Sequence, residues 1–122
     1  MRAGSATEVL LDTDVLVDHL RARERLPIVG RFAYSVVSRF ELLAGRDTEE
    51  DVVNDLLQPH REIAVDRAIA ERAGRLRRED RLEAADALIA ATALEYHLAL
   101  VTRNRRDFGK VRDLRVRDPK SI

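Results

Sequence analysis

Short, continuously apolar runs alternate with longer stretches of helical spacing along this chain, and that alternation constrains the fold more than any other feature. Val9-Leu10-Leu11, Ala33 to Val37, Ile63-Ala64-Val65 and Leu98 to Thr102 read as buried strands, and Leu114 to Arg117 as a fifth. Between them the spacing predicts a helix from about Asp14 to Ala22 that must stop before Pro27. Ser38 reads as the N-cap of a helix ending near Gly45, and Asp47 or Thr48 opens another that Pro59 terminates. Asp66 caps a helix running to about Glu79. Ala84 to Tyr96 is the most apolar helix and is expected to be central, and a short helix surrounds Asp107. Strands alternating with helices predict an α/β fold of three layers, helices on both faces of a central, mostly parallel sheet. In such a sheet ligands bind beyond the carboxyl ends of the strands, near the point where strand order reverses.

The 122 residues form a single domain spanning 1–122, and 45% apolar content is enough for one core. The absence of cysteine excludes disulfides, thiolate catalysis and Cys-ligated zinc. The N-terminal apolar stretch is interrupted by Asp12, Asp14 and Asp18, so it reads neither as a signal peptide nor as a membrane span, and a cytoplasmic location is expected. The glycines form no Walker A loop and no G-x-G-x-x-G. His19, His60 and His97 are scattered and receive no catalytic role. Phe32, Tyr34, Phe40, Tyr96 and Phe108 are expected in or around the core.

Four carboxylates stand where the topology rule directs attention. Asp12 follows the first strand, Glu41 lies in the first turn of the helix after the second, Asp86 in the first turn of the Ala84–Tyr96 helix, and Asp107 just beyond Thr102. Each also has a structural explanation. Asp12 and Asp107 suit caps, Ser38-Arg39-Phe40-Glu41 fits the capping box S-x-x-E, and the helix dipole favours Asp86. Gathered at one site they would repel, by about 4 kcal/mol per pair at 4 Å and an effective dielectric near 20. Such a cluster persists only if protons or a cation neutralise it. Hard oxygen donors suit Mg²⁺ or Mn²⁺ rather than zinc, and an ion there could activate water for in-line displacement at phosphorus.

The residues around these acids resemble the PIN-domain ribonucleases, and specifically the VapC-type toxins of VapBC toxin–antitoxin modules. Leu10-Leu11-Asp12-Thr13-Asp14-Val15-Leu16 resembles the family's opening strand with its first acid, and Ser38-Arg39-Phe40-Glu41-Leu42-Leu43-Ala44-Gly45 its second acidic segment. Ala85-Asp86-Ala87-Leu88-Ile89-Ala90-Ala91-Thr92-Ala93 is similar to its D-x-L-I-A-A-T-A helix, and Leu100 to Phe108 to its L-V-T-x-N-x-x-D-F ending. The blocks occur in the family's order from about residue 9 to 117. The resemblance implies that Asp12, Asp86 and Asp107 ligate Mg²⁺ or Mn²⁺, with Glu41 ligating directly or through water. It implies supporting roles for Thr13, Thr102 and Asn104 in orienting the acids or the attacking water. The implied reaction is endonucleolytic hydrolysis of RNA (tRNA or rRNA being candidates), leaving a 5′-phosphate. It further implies a homodimer and a cognate antitoxin whose C-terminal segment is buried against the acidic pocket. Asp14 departs from the pattern, standing where many relatives carry Ser or Asn, and reads either as an extra ligand or as a helix-start acid, the latter favoured. Arg81-Leu82-Glu83-Ala84 stands where relatives often have a Pro-containing turn.

Formal net charge is zero, from 22 basic and 22 acidic residues, which excludes indiscriminate coating of nucleic acid. The sum averages unlike regions. From Val101 onward eight cations face three acids, and Arg103, Arg105 and Arg106 adjoin Asp107, where they could steer phosphate or simply be solvated. Arg67, Arg75 and Arg78 read as a solvated helix face. One rival is a response-regulator receiver domain, with Asp12 and Asp14 as its metal acids, Asp66 as its phosphorylation site and Thr102 as its switch hydroxyl. It needs a lysine that Lys120 is poorly placed to supply, and leaves Glu41 and Asp86 unemployed. The other rival is a PIN fold that binds RNA or protein without cutting.

Overall fold

The computed structural model describes residues 8–22, 25–27 and 30–121. Readings that touch residues 1–7, 23–24, 28–29 or 122, including the outer ends of the 1–122 domain, lie outside the described residues.

Five parallel strands form one sheet in the order β3-β2-β1-β4-β5: β1 (Val9–Leu11), β2 (Ala33–Ser35), β3 (Arg61–Ile63), β4 (Ala99–Val101) and β5 (Val116–Arg117). Among the described residues six α-helices accompany them: α1 (Thr13–Ala22), α2 (Val36–Leu43), α3 (Glu50–Leu57), α4 (Arg67–Asp80), α5 (Ala84–Glu95) and α6 (Arg105–Phe108). Alternation along the strands separates two cores. Val9, Leu11, Phe32, Tyr34, Ala99 and Val101 pack with Val15 and Leu16 of α1, Leu42 of α2 and Val53 and Leu57 of α3. Leu10, Ala33 and Leu100 face the other way, onto α4, α5 and Phe108 of α6. The expected three-layer α/β/α architecture is the one observed. α5 is buried along most of its length because sheet and α4 enclose it. Among the described residues, no helix is long and apolar enough to cross a membrane.

Local readings needed correction where long-range pairing overrode them. The second strand stops at Ser35, which pairs with Ile63, and Ser35 rather than Ser38 caps α2 by accepting the Val37 N–H at 3.0 Å. Two serines three positions apart could each have served, and the end of the sheet ladder selected the first. The Ser38–Glu41 capping box is therefore absent, and Glu41 sits in the last turn of α2 rather than in its first. The third strand is Arg61–Ile63, not Ile63–Val65, since an edge strand can carry charge on its solvated side. α3 starts at Glu50, because the Thr48 hydroxyl is occupied at the end of α2, donating to the Leu42 carbonyl at 2.8 Å. Phe40 is 68% exposed on α2, outside both cores.

Candidate active site

Strand order places β2, β1 and β4 side by side, so their carboxyl ends open at one edge where the order reverses. Asp12 follows β1, and its N–H donates to the Val101 carbonyl of β4 at 2.9 Å, pinning it there. The carboxylate is buried: one oxygen accepts the Thr13 N–H at 2.8 Å, the other the Thr102 hydroxyl at 2.7 Å. The Thr102 oxygen in turn accepts the Asn104 N–H at 2.9 Å. Asn104 caps α6 and brackets Asp107, its amide nitrogen donating to the Asp107 carboxylate at 3.1 Å and its amide oxygen accepting the Asp107 N–H at 3.3 Å. Phe108, fully buried, anchors α6 beneath that pair.

On the other side of Asp12, the Thr13 hydroxyl donates to Glu41 at 2.6 Å. A hydroxyl has one proton, so the 2.8 Å contact between Thr13 and the buried Ser38 must have Ser38 as donor. Ser38 and Thr13 thus form a relay that orients Glu41 across two elements. Asp86 is in the first turn of α5, as expected. The turn leading into that helix is set by Arg81, whose left-handed backbone (φ 57°) closes α4, and by buried Leu82, whose carbonyl accepts from Arg77 at 2.9 Å.

The acids act on one another. Burial, then the charges of Asp14 and Asp86, push the Asp12 carboxyl up to about 7 against the opposing bonds from Thr102 and Thr13. Burial, then Glu41, Asp107 and Asp14, push Asp86 up to about 6. Asp86 is therefore the acid within electrostatic reach of each of the other three predicted acids, Asp12, Glu41 and Asp107. Sequence reasoning undervalued Asp14. One of its carboxylate oxygens accepts the Arg103 N–H at 3.1 Å and lies 3.3 Å from the Thr102 hydroxyl, while the other is buried with no hydrogen-bond partner among the described residues. Burial raises this carboxyl too. The D-x-D spacing was its only signal, and the helix-start explanation absorbed it.

The donor set fits a hard divalent cation on its chemistry: the predicted ligands are carboxylates alone, and burial together with neighbouring like charges raises Asp12 and Asp86. Among the described residues no three acid or histidine side chains form a ready-made ligand cage. The predicted cations divide. The Arg103 guanidinium pairs with Asp18 of α1, whereas Arg105 and Arg106 are exposed on α6 next to Asp107. His60 has a structural task, stacking on Phe32 with ring centroids 3.5 Å apart and accepting the Phe32 N–H. Asp66, the receiver reading's phosphorylation site, caps α4 beyond edge strand β3 by accepting the Ile69 N–H at 2.9 Å.

Comparison with known proteins bears on the whole chain. A family model described as PIN domain matches residues 9–114. The ribonuclease VapC10 of Mycobacterium tuberculosis is 40% identical over 109 residues, covering 79% of this chain and 82% of the relative. VapC19 of the same organism is 34% identical over 119 residues, covering 86% and 95%. Among solved structures, a toxin–antitoxin complex from Klebsiella pneumoniae aligns with a TM-score of 0.72 at 29% identity, over 91% of this chain and 97% of that one. The DNA-bound VapBC of Salmonella typhimurium shares the fold, with a TM-score of 0.81 at 22% identity, over 92% and 98%. Motif order, sheet topology and these likenesses agree, and the receiver reading falls away: the chain belongs to the PIN-domain family, among its VapC-type members.

Proposed function

We propose that this chain is the toxin of a VapBC-type pair, an endoribonuclease that hydrolyses RNA phosphodiester bonds with Mg²⁺ or Mn²⁺ and is neutralised by a cognate antitoxin. The observation that carries the reading is the buried Asp12 carboxylate at the switch point of the sheet, held by the Thr13 amide and the Thr102 hydroxyl with Asp14 and Asp86 as its charged neighbours. Its relatives named as VapC ribonucleases, and structural neighbours that are toxin–antitoxin complexes, support it.

In this reading Asp12, Asp86 and Asp107 hold the ion, and Glu41 reaches it directly or through water. When bound, the ion supplies Lewis-acid stabilisation of charge at phosphorus and a more acidic water. The chain's own residues supply position. Thr102 and the Thr13 amide fix both oxygens of Asp12; Asn104 fixes Asp107; Ser38 and Thr13 fix Glu41. Arg105 and Arg106 draw the RNA backbone toward the acids from their exposed places on α6. A homodimer and an antitoxin segment seated against the acid pocket complete the proposal.

The test is cleavage of structured RNAs by the purified chain with Mn²⁺, with EDTA, and with Asp12→Asn. Cleavage that survives both EDTA and the substitution would sink the mechanism. RNA binding without cleavage at saturating Mn²⁺ would favour the silent PIN fold instead.

A further inference from the structure

Arg103 is gripped at both ends by one helix. Its backbone N–H donates to Asp14 at 3.1 Å, and its guanidinium is ion-paired with Asp18. Asp14 and Asp18 are four residues apart on α1, so they share a face one helical turn apart. The residue they hold sits between Thr102, which donates to Asp12, and Asn104, which brackets Asp107. The turn from Thr102 to Asp107 joins β4 to a four-residue helix, too short to hold its own place by helical hydrogen bonding. The described contacts that tie Thr102 and Arg103 to the first helical segment run through Asp12, Asp14 and Asp18.

We infer that Asp14 and Asp18 form a two-point clamp on Arg103 that sets the position of Asp107 relative to Asp12. Both are positioning residues, and Arg103 serves them rather than contacting substrate. The two grips differ in weight. The Asp14 contact is a charge-assisted bond to a main-chain amide, beside a carboxylate oxygen that is already buried. The Asp18 contact is an ion pair at the surface, where Arg103 is 61% exposed, and solvent weakens it. Asp14 therefore holds the backbone, and Asp18 trims the orientation. The geometry requires an acceptor at position 14: asparagine keeps one, neutral and weaker, and alanine removes it.

The consequence for catalysis rests on the function proposed above, but the clamp itself is testable without it. Amide hydrogen exchange is followed at Arg103 and across residues 102–108, with the Leu100 amide in β4 as an internal reference for global loosening. Asp14→Ala is expected to speed exchange at Arg103 by about tenfold or more, the size of a lost bond to a charged acceptor, and Asp14→Asn to speed it clearly less, because a neutral acceptor remains. Asp18→Arg is expected to speed exchange about twofold, as befits a surface pair, and the charge swap Asp18→Arg with Arg103→Asp to restore it. Mn²⁺ affinity, read by calorimetry, should fall by roughly tenfold in Asp14→Ala, the effect of losing an orienting contact behind a ligand. Unchanged exchange at Arg103 in Asp14→Ala would overturn the clamp. So would equal acceleration in the Asn and Ala variants, or parallel acceleration at Leu100. If the clamp readouts hold while no RNA is cut under any condition, the functional reading fails and the clamp stands.

Discussion

Glu62 and Asp12 are both carboxylates of the sheet region, and the chain treats them in opposite ways. Glu62, on edge strand β3, accepts from Arg39 at 2.5 Å and from the buried Tyr34 hydroxyl at 3.1 Å, and Arg39 reaches Asn54 of α3 as well. Asp12, at the end of the central strand, receives one hydroxyl and one amide, and its charged neighbours are Asp14 and Asp86. Arginine is not scarce, since 20 of the 22 basic residues are Arg. The edge carboxylate is paired for structure. The central one is left short of positive charge, which weakens the empty fold and creates a demand that a cation can meet.

The largest effect that would break this contrast comes from Asp12→Asn. It should reduce RNA cleavage to the level of the EDTA control and abolish stabilisation by Mn²⁺ in a thermal-shift titration. Without metal the same variant should unfold at a higher temperature than the parent, because it removes repulsion among buried acids. A lower melting temperature in EDTA would show that Asp12 is a structural cap after all. Next in size, Thr102→Val removes the hydroxyl shared by Asp12 and the Asn104 amide, and should weaken Mn²⁺ binding by roughly 10–100-fold, as loss of an outer-shell partner does. Calorimetry measures this directly, and unaltered affinity would remove Thr102 from the site.

The acid end also predicts an unusual pH dependence. Folding raises Asp12 from 3.8 to about 7 and Asp86 from 3.8 to about 6. Between about pH 4 and 7 the folded chain therefore binds more protons than the unfolded one, so metal-free stability falls as pH rises through that window. Denaturation in EDTA at pH 5 and 7.5 should show a loss on the order of 2–3 kcal/mol, most of it from Asp12 because Asp86 is half-exposed and screened, and smaller in Asp12→Asn. His60, which burial lowers, works in the opposite direction below its ordinary range. Saturating Mn²⁺ should counter the trend, since the ion binds ionised carboxylates. Metal-free stability that climbs with pH would contradict the assignment. Arg39→Ala is the smallest perturbation: cleavage unchanged, and a stability loss of about 1 kcal/mol because its partner Glu62 is partly solvated. A large loss of cleavage would mean that the edge network communicates with the acids.

How legible the site was depended on the range of the interactions involved. The positions of Asp12, Asp86 and Asp107 relative to their strands and helices could be read locally, because a strand end and a helix start are marked within a few residues. Glu41 could be named, but its reason could not. The capping box assigned it to Ser38, whereas it is held by Thr13, 28 residues away in sequence. Asp14 lies in the first turn of α1 as its helix-start reading has it, but the bond it accepts from the Arg103 N–H, across 89 positions, has no local signal.

Apolar periodicity and the order of the acids were enough to establish a three-layer α/β fold and the end of it that holds the chemistry. Hydrophobic burial follows local spacing, and the right-handed crossovers of a parallel sheet leave few arrangements open. The tertiary structure alone decided which serine caps α2, which residues form the polar edge strand, and which hydroxyl serves which carboxylate. Those choices are made by single hydrogen bonds between segments far apart in the chain, and no local pattern records them.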